Sequence, residues 1–248
     1  MESQTKEFGG DAAGTAYWDQ VWDKLPPVPT YPGPIFEQHP VFAKYLSKTN
    51  GDAIEIGCVP GNFMVYLHHE FGYRVDGLDY CGNMDYVRRN LQHNNIHDSN
   101  LFNADLFNFV SGKKYDLVFS GGFVEHFDNY ELVVQKHADL AKNGGYVVIF
   151  FPNLTHIHKL LCGWFAPEVL RIHRFALMNK QTLRDTLEKA GLRVLHCDYQ
   201  KTFRPTYQLP TALQFGSRAF QKLLRMTRLD NIGNRYGSPY LISVSVKT

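Results

Sequence analysis

Between Pro40 and Gly191 the chain alternates short apolar runs of strand type with segments whose apolar residues recur at helical spacing. The strand-type runs are Ala53–Ile56, Tyr73–Leu78, Leu101–Ala104, Tyr115–Phe119 and Tyr146–Phe151, and the helical segments lie near Phe63–Phe71, Met84–His93 and Tyr130–Lys142. Strand followed by helix, repeated, predicts an α/β fold with a parallel sheet covered on both faces. Helices are predicted next at Leu154–Trp164 and at Lys180–Ala190, the latter stopped by Gly191, followed by strands at Leu192–Tyr199 and Tyr240–Val246. Upstream, Val41, Phe42, Tyr45 and Leu46 form one apolar face after Pro40, which suits a first helical turn. Residues 1–34 are rich in Gly and then Pro, and only Ala16–Lys24, with Tyr17, Trp18 and Trp22, has helical spacing. This stretch reads as a cover segment.

The chain has 248 residues, of which 44% are hydrophobic and 20% charged, enough to bury one large core without disulfides or metals as staples. The division expected is a cover over 1–34 and one domain over 35–248. A net charge of +2 is too balanced to mark the whole protein as a nucleic-acid binder by electrostatics alone. Basic character is local: Lys201, Arg204, Arg218, Lys222, Arg225, Arg228 and Arg235 face one acid, Asp230, within an insertion at 201–239. Its segment 211–226 reads as an amphipathic helix packed on the sheet edge, with peripheral membrane contact as the second reading. Cys58, Cys81, Cys162 and Cys197 form no C-x-x-C pair and suggest neither zinc nor a disulfide framework. The polar N-terminus and the shortness of the apolar run Tyr146–Phe151 predict a cytoplasmic protein with no transmembrane segment.

Chemistry concentrates at the carboxyl ends of the predicted strands, where open α/β sheets bind ligands. The first strand ends in Glu55-Ile-Gly-Cys-Val-Pro-Gly-Asn62 and runs straight into a helix. Gly57 and Gly61 there allow backbone geometry and close ligand approach that side chains would block. The second strand ends in Asp79, an acid able to accept both hydroxyls of a ribose. Asp105 follows the third, and Ser120-Gly-Gly-Phe-Val-Glu-His126 closes the fourth. The glycine spacing lacks G-x-G-x-x-G, which disfavours a nicotinamide dehydrogenase.

From Phe36 onward the sequence resembles the class I, Rossmann-like S-adenosylmethionine-dependent methyltransferases, in their small-molecule branch. The resemblance implies a doubly wound seven-stranded sheet whose last strand runs antiparallel between the fifth and sixth. It implies that Glu55, Gly57, Cys58 and Gly61 wrap the methionine part of S-adenosyl-L-methionine. Asp79, beside Tyr80, matches the acid that holds the ribose, and Asp105 with Leu106 matches the pair that reads adenine. Ser120 and Gly121 match positions lining the methionine and substrate side. Val59 stands where the family has its middle glycine.

His126, after the fourth strand, is the first candidate for a base, with His158 and His173 in the region 152–180 where this family builds its acceptor pocket. The segment Trp164–His173, followed by Phe175 and Met178, resembles the acceptor-side insertion of enzymes acting on sugars, lipid-linked intermediates and other small metabolites. Some methyltransferases of this fold carry E-x-x-E-H after the fourth strand and bind a divalent ion. Here Gly122 replaces the first acid; a partial site of Glu125, His126 and a distant His173 is the lesser reading, and no metal is expected. Tyr17, Trp18 and Trp22 are expected to act as a lid. The function implied is methyl transfer to a small-molecule acceptor, anionic in one reading, at a hydroxyl oxygen. An RNA methyltransferase and a non-catalytic cofactor-binding module are the alternatives, and no stable nucleic-acid partner is expected.

Overall fold

A computed structural model of the protein describes residues 11–34, 36–201, 221–224, 226, 227, 229 and 232–248. Seven strands form one sheet: β1 (Asp52–Ile56), β2 (Arg74–Asp79), β3 (Leu101–Asn103), β4 (Tyr115–Gly121), β5 (Ala141–Pro152), β6 (Leu192–Gln200) and β7 (Tyr240–Lys247). Their spatial order is β3-β2-β1-β4-β5-β7-β6. The first five strands are mutually parallel, and β7 runs antiparallel to both neighbours. The sheet therefore has the strand number and the antiparallel last strand expected.

The α-helices whose bounds are fully described are α1 (Thr15–Trp22), α2 (His39–Tyr45), α3 (Asn62–Phe71), α4 (Met84–His93), α5 (Tyr130–Leu140), α6 (His156–Phe165), α7 (Pro167–Arg171) and α8 (Lys180–Lys189). They pack on both faces because parallel strands expose apolar side chains on each side. One core unites Ile54 and Ile56 with Val133 and Val134 of α5, Cys162 of α6 and Leu183 and Leu187 of α8. The other unites Ala53 with Phe42 of α2, Met64 and Leu67 of α3 and Val87 and Leu91 of α4. Alternate residues of β1 thus serve opposite cores, as a period of two requires.

Boundaries differ from the sequence reading where specific residues act. The helix expected through Lys142 ends at Leu140, since Ala141 already pairs with Tyr115 of β4, and β5 resumes regular pairing at Tyr146 after Gly144 turns at φ 77°. The helix expected from Leu154 starts at His156 because Asn153 is committed elsewhere. Its amide donates to the Arg235 and Ser238 carbonyls, while its own carbonyl oxygen accepts from Thr155 Oγ1. Of the expected helix 211–226, residues 211–220 and 225 lie outside the described residues. Among the described residues no helix is long and apolar enough to cross a membrane.

Candidate active site

The ends of β1, β2 and β4 open onto a cavity of about 250 Å³. It exists there because parallel neighbours of a switch-point strand diverge into separate connections, leaving a crevice at the carboxyl edge. Gly57 leaves β1 at φ 72°, a left-handed conformation natural to glycine, and a Cβ at this position would lie 2.5 Å from Phe123 Cδ2. Gly61, at φ 91°, is the N-cap of α3. The chain between them curls so that Val59 N–H donates to Asp79 Oδ2 at 3.1 Å, and Cys81 N–H donates to Oδ1 at 3.0 Å. Asp79 is thereby clamped facing the cavity. Burial raises its pKa, and the Cys81 and Val59 hydrogen bonds oppose that. Glu55 is buried beneath the turn. Burial holds it well above the usual carboxylate range, Asp79 adds to the rise, and the Met64 N–H opposes it. One of its oxygens, Oε2, has no hydrogen-bond partner.

The N-terminal segment covers this crevice. Asp11 accepts from Tyr80 Oη, from Trp18 Nε1 at 3.2 Å and from Ala13 N–H, while Ala12 N–H donates to the His126 carbonyl at 2.9 Å. Trp18 and Trp22 stack 6.3 Å apart, and both line the cavity with Phe36, Phe63, Phe123 and Phe127. Tyr17 packs on Trp18 and does not line it.

Beside the cavity, the turn Val124–His126 after β4 buries a carboxyl group and an imidazole together. His126 Nδ1 lies 2.7 Å from the Ile172 carbonyl, and Trp18 packs edge-on at 4.8 Å. His173 stacks 4.5 Å from His126, with its own Nδ1 2.7 Å from the Val169 carbonyl. In each ring the carbonyl needs the proton on Nδ1, which leaves the lone pair on Nε2. Glu125 sits 3.8 Å from His126 Nε2, and neither of its carboxylate oxygens has a hydrogen-bond partner. Burial pushes Glu125 up to about 8 and lowers His126 to about 4; His173 also falls to about 4, through burial and then its neighbour His126. His126 faces the cavity, whereas His173 lines an adjoining, more open pocket with Asp128, Tyr130, Leu170, Arg174, Phe175 and Ala176.

The expected residues divide accordingly. Glu55, Gly57, Asp79, Tyr80, Gly121, His126, Trp18 and Trp22 surround the cavity. Cys58 and Gly61 shape the turn beneath it, with Gly61 N–H donating to the Cys58 carbonyl. His158 does not join this group: it is buried with Nε2 2.9 Å from the Gly237 carbonyl. Ser120 is turned inward, its hydroxyl 2.9 Å from His137 Nε2. Asp105 accepts from Phe107 N–H and from Asn108 Nδ2 in its own turn, and Leu106 is buried in the core beyond the cavity. Asp11 and the four phenylalanines escaped the sequence reading. Asp11 lies in a polar stretch with no periodic signal, and aromatic spacing does not distinguish a cavity wall from a core.

The chain matches the family model described as methyltransferase domain over residues 32–197. No curated protein matches. Among solved structures, a chain of the complex between the Haloferax volcanii Trm112 methyltransferase activator and a methyltransferase superposes with TM-score 0.60. It is 16% identical and covers 84% of this chain and 87% of its own. A sarcosine dimethylglycine methyltransferase from Galdieria sulphuraria gives 0.59 at 12% identity, covering 85% and 83%. Geranyl diphosphate C-methyltransferase from Streptomyces coelicolor gives 0.55 at 14%, covering 82% and 72%. At such identities these likenesses establish a shared fold.

Proposed function

From the premise that this chain belongs to the methyltransferase-domain family, we propose that it is a small-molecule O-methyltransferase. Its methyl donor is S-adenosylmethionine, as in the class I enzymes of this fold, and when bound the donor supplies an electrophilic sulfonium methyl. The residues present fit that donor. Gly57 keeps open the space a Cβ would close, Asp79 offers unfilled lone pairs to a vicinal diol, and Glu55 holds an unpartnered oxygen beneath the turn. Trp18 and Trp22 cover the cavity and exclude water. Because displacement at a sulfonium needs no acid for the leaving group, alignment by these walls supplies most of the catalysis, about 7–11 kcal/mol when orientation is good.

The observation supporting a hydroxyl acceptor is the composition of the cluster beside the cavity. Burial keeps the His126 and His173 imidazoles neutral, and with Nδ1 held by a backbone carbonyl each offers an Nε2 lone pair there. Such a cluster accepts the hydrogen of a hydroxyl. The pocket around His173 adds Arg174, which is paired with Asp128, and the exposed Arg171 lies close by in sequence, so anionic acceptors suit its outer wall. Incubating the protein with cell extract and an isotopically labelled methyl donor should yield a labelled low-mass product in mass spectrometry. Label found only in RNA or in protein, or in no product, would overturn this reading.

A further inference from the structure

We propose that the outward face of α6, continued by Tyr236 and assisted by the cations of the insertion 201–239, docks this protein reversibly on the surface of an anionic lipid bilayer. The use of such docking, delivery of an acceptor to the outer pocket, rests on the O-methyltransferase reading; the docking surface itself does not.

A helix on the surface of a globular domain ordinarily buries its apolar stripe and offers polar residues to solvent. In α6 the order is reversed. His158 and Cys162, one turn apart, are the residues it buries, with His158 Nε2 2.9 Å from the Gly237 carbonyl. Ile157, Leu160 and Trp164 recur at i, i+3 and i+7, which places them together on another face, and the Phe165 ring meets that of Trp164 edge-on at 6.4 Å. That face stands in solvent: Leu160 is 60% and Trp164 74% exposed, and Ile157 and Phe165 are exposed beside them. Large apolar side chains gathered on one face mark an interaction site, unlike apolar residues scattered singly.

The patch continues onto the insertion. Tyr236 is 62% exposed, and its ring packs 4.7 Å from that of His156, the first residue of α6. The turn that carries it is fastened to the start of the helix, because the Asn153 amide donates to the Arg235 and Ser238 carbonyls and the Thr155 hydroxyl donates to that of Arg235. The face thus has Trp164 at one end and Tyr236 at the other. Both have an apolar ring with a polar tip, and such side chains settle at the level of lipid headgroups.

Charge selects the occupant. Within 201–239 seven Lys and Arg stand against one acid, while the whole chain carries only +2, so positive charge is concentrated in this insertion and the rest is net negative. Lys159 of α6, Lys222 and Arg235 are exposed. Apolar and aromatic side chains beside lysine and arginine are the composition of an interfacial membrane contact, in which the apolar groups enter the headgroup boundary and the cations meet anionic lipid. A second copy of the chain suits the face less well. A two-fold contact sets each patch against itself, and here that would bring like charges together.

The docked face also adjoins the outer pocket. Lys159 Nζ lies 4.7 Å from the centre of the Phe175 ring, and Phe175 lines that pocket with Leu170 of α7 and His173. Only Ala166 separates α6 from α7. Docking through α6 therefore brings the pocket close to the headgroups, with Arg174 in its wall and Arg171 exposed nearby. An acceptor held in the bilayer then reaches the site without crossing bulk water.

The test is flotation of the full chain with vesicles of phosphatidylcholine alone and of phosphatidylcholine with about one-third phosphatidylglycerol. The expected result is binding to the anionic vesicles at least about tenfold stronger than to the neutral ones at about 0.1 M salt, weakened at about 1 M, where the Debye length shrinks to about 3 Å. The double variants Leu160→Ser/Trp164→Ser and Lys222→Glu/Arg235→Glu should each lower that affinity at least about tenfold. All four side chains are exposed, so native circular dichroism is expected of both. Should one fail to fold, the other and the lipid and salt dependence of the wild-type chain still decide. Absence of binding to anionic vesicles, equal binding to neutral ones, or unchanged affinity in the folded variants would overturn the proposal. So would a dimer in sedimentation that Leu160→Ser/Trp164→Ser splits while no vesicle is bound, since the face would then belong to a second copy. Binding of S-adenosylhomocysteine without vesicles is read separately. Its loss would count against the methyltransferase reading, and its presence without flotation against the docking alone.

Discussion

Replacing Asp79 by Ala should weaken S-adenosylhomocysteine binding by between about tenfold and about a thousandfold. The carboxylate has two oxygens with roughly four lone-pair sites. The Val59 and Cys81 N–H groups take one on each oxygen, at 3.1 and 3.0 Å, which leaves two sites toward the cavity for the two hydroxyls of a ribose. Hydrogen bonds to a charged group are worth about 1.5–3 kcal/mol each, so the gross loss is about 3–6 kcal/mol. Part of that is offset, because burial already raises the Asp79 pKa and the free site holds its charge at a cost. Even a net loss of about 1.4 kcal/mol is tenfold in affinity. The same substitution strips the acceptor from the two backbone N–H groups that shape the glycine turn, so the thermal midpoint should also fall. Asp79→Asn separates the effects, because its carbonyl oxygen can still accept from one of them while the charge is gone; its affinity should lie between the other two. Titration calorimetry on proteins with native circular dichroism provides the measurement. A folded Asp79→Ala chain that binds as tightly as wild type would refute the placement of the ribose at β2.

Gly57→Ala forces a side chain into left-handed backbone, at about 1–2 kcal/mol, and places its Cβ 2.5 Å from the Phe123 ring; calorimetry should show cofactor affinity falling at least about tenfold. His126→Gln should lower the single-turnover methylation rate by roughly 10²–10⁴-fold, and a near-normal rate would remove this imidazole from the mechanism. His137 is buried between the Val133 carbonyl and Ser120, and burial lowers its pKa to about 4. Its stabilising contribution is complete above the unfolded value near 6.5 and disappears as pH falls toward 4, at a cost of about 3 kcal/mol. Urea unfolding at pH 7 and at pH 4.5 should therefore show a smaller acid loss in His137→Gln than in wild type, and parallel losses would refute the assignment. Deleting residues 1–30 removes Trp18 and Trp22 from the cavity wall and should leave a folded core with weakened cofactor binding; unchanged binding and turnover would end the lid reading.

The periodicity between Pro40 and Lys247 made most of the architecture legible, because strands buried on both faces and helices buried on one leave different spacings. Met84–His93 shows this well, since its apolar residues fall on one stripe and its structural limits match those expected. The carboxylates at strand ends were legible for a related reason: an acid that closes an apolar run stands at the sheet's carboxyl edge. What stayed hidden depends on approach between distant segments. Nothing near His158 in sequence announces that the Gly237 carbonyl will meet it. The latch of Asp11 on Tyr80 and Trp18 is likewise a product of the N-terminal segment crossing the crevice. Glu125 and His126 stood out as neighbours, but only the turn after α7 brings His173 to them.

The position of β7 has a consequence for biosynthesis. Among the described residues β6 pairs with no strand except β7, and β7 alone covers the far edge of β5. During translation, β6 therefore emerges with nothing to pair with while residues 201–239 are still being added. For that interval the nascent chain carries a bare strand edge on β5, with Val147, Val148 and Ile149 in its middle, the kind of template on which chains aggregate. Changes that lengthen or slow synthesis of 201–239 should thus lower soluble yield and raise dependence on chaperones, while leaving the chemistry of every folded molecule untouched.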